Sequence, residues 1–207
     1  MKIVSSFFAM AVALVLSGQC RAGGGLTVFV GEKVSLQEFQ PVLKENEIRF
    51  DLAFDAQYRV LQRVYGADPG VLIDFKVFDH SGEPRFSKFD TVLLFVLNTP
   101  EGNFHYKYQF YPVFRTVDGA WAGCSNTWLM MSERAYPDLQ PHAIAFATTP
   151  SFSTEGMDDE ELEKTYPASQ YQHINGQALC QVGYSLAELI EIKRRGSLKK
   201  AFESNTP

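Results

Sequence analysis

The stretch IRFDLAFDAQYRVLQRV, residues Ile48 to Val64, decides how this chain folds. Its even positions read Ile, Phe, Leu, Phe, Ala, Tyr, Val, Gln, Val, and all but Gln62 are apolar. The odd positions between them are mostly polar: Arg49, Asp51, Asp55, Gln57, Arg59 and Arg63, with Ala53 and Leu61 as exceptions. Period-two alternation is the signature of a strand with one buried face. At about 3.3 Å per residue the stretch would run roughly 56 Å, too long for one straight strand in a small domain. A bend or break is therefore expected, placed by the sequence near Asp55-Ala56. A helix competes over part of the stretch, because Ala53, Val60, Leu61, Val64 and Tyr65 share a helical face and Gly66 supplies a stop. The alternation favours the strand.

Working outward, Leu26 to Val30 is a short strand that Gly31 closes, and Ala67-Asp68-Pro69-Gly70 is a turn. Val71 to Phe78 follows as a strand, then a polar connection from Asp79 to Pro84. Thr91 to Leu97 (TVLLFVL) is apolar on both faces, the pattern of a buried strand. In Phe104 to Phe114, alternation places Phe104, Tyr106, Tyr108 and Phe110 on one face and leaves Tyr111 on the other, beside His105, Lys107 and Gln109. Asp118-Gly119 is another turn, and His142 to Thr148 a strand. Met157 to Tyr166 is an acidic, exposed short helix or loop. Ser185 and Glu188 fit a capping box, followed by an apolar stripe of Leu186, Leu189 and Ile190 and a basic end at Lys193-Arg194-Arg195. The expected fold is a β-rich α+β domain over residues 23–207. It is an antiparallel meander able to close as a small barrel, with a less regular third from about 125 and a C-terminal helix.

The run AQYRVLQRVYG…VLIDFKV…TVLLFV resembles the front half of netrin-like or metalloprotease-inhibitor-type OB barrels over about Phe54 to Val96. The resemblance implies an OB-like barrel. Inhibitors of that kind depend on a cysteine at the mature N-terminus, so their activity does not carry over to a chain processed to Gly23.

The first 22 residues have the form of a signal peptide. Lys2 precedes the apolar run FFAMAVALVL (Phe7–Leu16), which is short for a membrane span, and Cys20-Arg21-Ala22 resembles a peptidase site. A secreted or periplasmic location follows. Cys20 leaves an alternative open, a membrane-anchored lipoprotein acylated at that cysteine. Either route leaves Cys124 and Cys180, an even pair in an oxidising compartment and hence a disulfide. The rival, a nucleophilic Cys124 with His142 or His173 as base, requires a free thiolate where thiols oxidise.

The chain carries a net charge of −5, and removing the leader takes away Lys2 and Arg21 but no acid. An acidic protein without a basic stripe is a poor partner for nucleic acid. No nucleophile elbow, glycine-rich phosphate loop or metal-ligand spacing occurs, so neither a catalytic constellation nor a cofactor or resident metal is expected. One alternative, a hydrolase or metal-dependent enzyme, would use His80, Glu83 and His105 if the turn and the neighbouring strand bring them together. The leading expectation is a non-catalytic binding or envelope-associated module for a protein or carbohydrate partner. Tyr111, Trp121 and Trp128 are its candidate contact residues.

Overall fold

The computed structural model describes residues 25–42, 50–125 and 136–204; the leader with Cys20, and Trp128, lie outside the described residues. Five strands form a closed barrel: β1 (Gly25–Phe39), β2 (Leu52–Tyr65), β3 (Leu72–Asp79), β4 (Thr91–Thr99) and β5 (Gly102–Pro112), in the order β1-β2-β3-β5-β4. Neighbours are antiparallel except β3 and β5, which meet in a parallel bridge at Lys76–Phe104. A simple meander would set β4 beside β3, but here β4 pairs with β1. Before β4, a 3-10 turn at Arg85–Lys88 drops Phe86 into the barrel, where it is 1% exposed. Its ring meets Tyr58 at 5.9 Å, Phe110 at 6.0 Å and Phe75 at 6.4 Å.

The decisive stretch is a strand from Leu52 onward, with Phe50 and Asp51 outside it. The pairing is continuous at Asp55 and Ala56; the register shifts between β1 and β2 fall where β2 skips Val64 and Leu61, and where β1 skips Val34 opposite Tyr58 and Gln57, next to the expected place. Such bulges add twist, which lets the sheet curl back on itself. Gly31 does not close β1 either. The strand continues to Phe39, and Gly31 is the point where the backbone crosses the interior rings. A Cβ there would lie 2.8 Å from Phe29 and 3.1 Å from Tyr58.

In β4 the two-sided apolar pattern is resolved into two cores. Val92, Leu94 and Val96 face the barrel interior, whereas Leu93 and Phe95 face outward into a second cluster with Leu26, Val28 and Val30 of β1. That outer face is covered by the C-terminal helices α2 (Leu186–Arg195) and α3 (Lys199–Glu203) through Leu189, Ile192, Leu198 and Phe202. Helix α2 starts with the expected capping box: Ser185 Oγ accepts from the Glu188 backbone N–H, and Glu188 accepts from the Ser185 backbone N–H at 2.7 Å.

Strand β5 breaks its own alternation. Leu94 pairs with Phe110 and Val96 with His105, so a step of two residues along β4 is matched by a step of five along β5. Tyr108, at the centre of this bulge, has φ 64°, a left-handed conformation uncommon for a large side chain. The parity of inward residues therefore changes across it: His105 points inward before the bulge and Phe110 after it. Phe104, Tyr106, Tyr108 and Phe110 do not share a face. The same change turns Tyr111 into the cluster beneath α2, where it is 2% exposed and lies under the Lys193 ammonium at 4.7 Å.

Beyond the barrel, β6 (Phe114–Arg115), β7 (Trp121–Cys124), β8 (His142–Ala143) and β12 (Val182–Ser185) form a sheet in the order β6-β7-β12-β8. The expected strand at His142–Thr148 contracts to β8 and a bridge from Phe146 to Thr116, next to β6. Strands β9 (Ser151–Ser153), β10 (Tyr171–Ile174) and β11 (Gln177–Cys180) make a smaller sheet beside α1 (Asp159–Thr165). The Cys124–Cys180 disulfide ties β7 to β11 with Cα atoms 6.0 Å apart. Tyr166, Tyr171 and Phe152 pack around it, with Phe152 and Tyr166 stacked at 5.4 Å. No helix among the described residues is long and apolar enough to cross a membrane.

Candidate functional site

Of the two candidate contact residues that are described, Tyr111 and Trp121, it is Trp121 that borders open space. The hairpin of β6 and β7 turns at Thr116–Ala120, with Gly119 at φ 82° and the Asp118 carboxylate accepting from the Thr116 hydroxyl. Its register sets Arg115 opposite Trp121. The guanidinium lies 3.8 Å from the indole centroid, and one nitrogen donates to the Gly119 carbonyl, so cation–π contact and hydrogen bond fix the Arg115 rotamer together. Trp121 itself is only 7% exposed, and its indole N–H has no acceptor among the described residues.

Two clefts flank this indole. One, of about 420 Å³, opens between the barrel rim and the sheet. Lys88, Phe89, Asp90 and Thr91 line it from the barrel, and Phe114, Arg115, Trp121 and Thr148 from the sheet side. The other, of about 310 Å³, has an alanine-rich wall of Ala120, Ala122, Ala143 and Ala145 and reaches Ser185. In the barrel-side cleft neither the Lys88 ammonium nor the Asp90 carboxylate has a partner among the described residues. This contrasts with a third cleft of about 430 Å³ under α2 and α3. There Arg195 is bound to Glu191 at 2.8 Å and Asp138 at 2.7 Å, and Arg194 lies 3.7 Å from Glu191.

The other sequence-derived residues are dispersed. Tyr111 is interior and presents no surface for stacking. His105 is 8% exposed inside the barrel, with its ring 4.6 Å from Phe86. Burial pushes its pKa down to about 4, against a bond to the Gln109 carbonyl at 3.0 Å that supports the Nε2–H tautomer. His80 lies outside, with Nδ1 bonded to the Tyr108 hydroxyl, and Glu83 accepts from the Ser87 hydroxyl at 2.6 Å. No three metal-ligating side chains gather among the described residues. His142 instead pairs with Glu188 at 3.0 Å, and this bond raises its pKa. Burial alone would push Glu188 up, but the bonds from Ser185 and His142 outweigh it and hold the carboxyl below its ordinary value.

Phe89, Phe114, Lys88 and Arg115 were not singled out from the sequence. Arg115 was accessible to a fuller reading, since a hairpin through Thr-Val-Asp-Gly sets Phe-Arg against Ala-Trp. The barrel-rim residues carry no local signal, because they meet the sheet only through the fold. Compared with known proteins, the chain matches no family model, no curated protein and no solved structure.

Proposed function

We propose that this protein is an exported, non-catalytic binding module that takes its ligand in the barrel-side cleft at Trp121. The observation that carries this reading is the cleft itself. Three aromatic side chains wall a volume of small-molecule size, and a cation and a carboxylate at its rim have no partner among the described residues. The disulfide suits an oxidising compartment, and the leader-like N-terminus supports export. No geometry among the described residues supports the metal-dependent alternative at His80, Glu83 and His105.

The test is a fragment screen on the intact, disulfide-bonded protein. It uses aromatic acids, sugars and short peptides and is followed by amide and indole chemical shifts. Hits should perturb Trp121 and Phe114 together and disappear in Phe114→Ala. Hits that map elsewhere, or none at millimolar concentration, would refute the assignment. Intact mass of the exported protein reads the leader: a start at Gly23 makes it free, and an acylated Cys20 makes it membrane-anchored.

A further inference from the structure

We infer that the ligand of this cleft is a small amphipathic monoanion, a carboxylate carried on an aromatic or branched apolar body. The inference rests on the cleft at Trp121 being the binding site and adds the chemical class of what enters it. The walls are Phe89, Phe114 and Trp121, surfaces that gain by covering apolar ligand area. The polar groups are unbalanced. Lys88 and Arg115 are cations, and the Thr91 and Thr148 hydroxyls can each donate as well as accept. Against them stands one dedicated acceptor, the Asp90 carboxylate. A site rich in donors favours a ligand rich in acceptors, since each donor left unmade on burial is costly.

Charge selects further. Two cations and one carboxylate leave a local excess of one positive charge in a chain whose net charge is −5, which matches a monoanion better than a phosphate dianion. Arg115 is held in place by Trp121 and Gly119, so it presents its charge without first losing rotamer freedom. Lys88 is exposed and uncommitted among the described residues, and closes the charged end from the barrel rim.

The experiment is calorimetric titration of the disulfide-bonded protein at pH 7 with three matched probes: 4-phenylbutyrate, 4-phenylbutanamide and 4-phenylbutylamine. The carboxylate should bind about ten-fold or more tighter than the amide, and the amine should show no binding. Lys88→Gln should reduce carboxylate affinity by about five-fold or more while leaving the amide unchanged, and Asp90→Asn should strengthen the carboxylate. Phe114→Ala should weaken carboxylate and amide alike, with circular dichroism confirming that each variant is folded. Carboxylate and amide binding equally, both lost in Phe114→Ala, would overturn the anion assignment and leave the cleft standing. Binding of none of the three, or binding indifferent to Phe114→Ala, would overturn the cleft reading and the inference with it.

Discussion

Acidification should destabilise this protein through one histidine. His105 is enclosed by the barrel, and its folded pKa is about 4 against an ordinary 6.5. A depressed histidine pKa means that the fold holds the neutral ring while the unfolded chain accepts a proton. As pH falls through 6.5 the unfolded state gains that proton and stability drops, until at about 4 the folded ring protonates too and the loss levels off. At about 1.36 kcal/mol per unit, the difference between those two values amounts to roughly 3 kcal/mol, of which about 2 is lost by pH 5. The comparison is urea unfolding of the wild type and His105→Phe at pH 7.5, 6, 5 and 4, followed by fluorescence. Phenylalanine keeps a ring among Phe86 and Phe75 and loses only the bond to Gln109, a pH-independent cost of about 1 kcal/mol. Wild-type stability should fall toward that of the variant, narrowing or reversing the gap by about 3 kcal/mol at pH 4. Parallel pH curves for the two proteins would show that His105 is not buried neutral and would refute the reasoning.

Reducing the Cys124–Cys180 bridge, which closes a separation of 56 residues, should lower stability by roughly 4 kcal/mol, seen as a shift in the urea midpoint with and without reductant. Gly183→Ala would set a Cβ 2.1 Å from the Gly123 carbonyl oxygen and should cost about 3 kcal/mol or more, whereas Gly176→Ala meets no atom within 4 Å and should cost only the strain of its φ of +72°, about 1–2 kcal/mol; thermal melts of the pair check the contrast. Replacing Glu188 by Gln should return the His142 pKa toward its ordinary value, read by NMR titration, and should weaken the start of α2. Because the His142 pKa is raised in the fold, its pairing contributes below the ordinary histidine range and is lost as pH rises through the shifted value.

What was legible in the sequence was what depends on local periodicity. The alternation from Ile48 identified β2, the run at Thr91–Leu97 identified the strand buried on both sides, and Ser185 with Glu188 marked the start of α2. The Cys124–Cys180 bridge followed from counting cysteines in an oxidising setting. What failed depended on register. A bulge at Tyr108 reverses the parity of β5, so alternation counted through it sent Tyr111 to the surface and His105 away from the interior. Gly31 has the look of a stop in the sequence, but it makes room for two rings, Phe29 two residues away and Tyr58 27 residues away, and the second is a contact that no local pattern shows. The candidate site was legible only at Trp121. Its other walls come from a barrel rim and a hairpin whose proximity is a tertiary fact.

The helices that cover the outer face of β1 have a further consequence for how the molecule is made. Leu26, Val28 and Val30 are among the first described residues, and Leu189, Ile192, Leu198 and Phe202, which shelter them, are among the last. A chain still emerging from a ribosome lacks this closing piece, and its barrel strands would present an apolar flank to solvent. Contacts between such distant segments are slow to form, so that flank stays uncovered until the C-terminal segment has been made. Completion of the C-terminus then acts as the clasp, so nonsense truncations before Leu189 should yield an aggregating product rather than a smaller working domain.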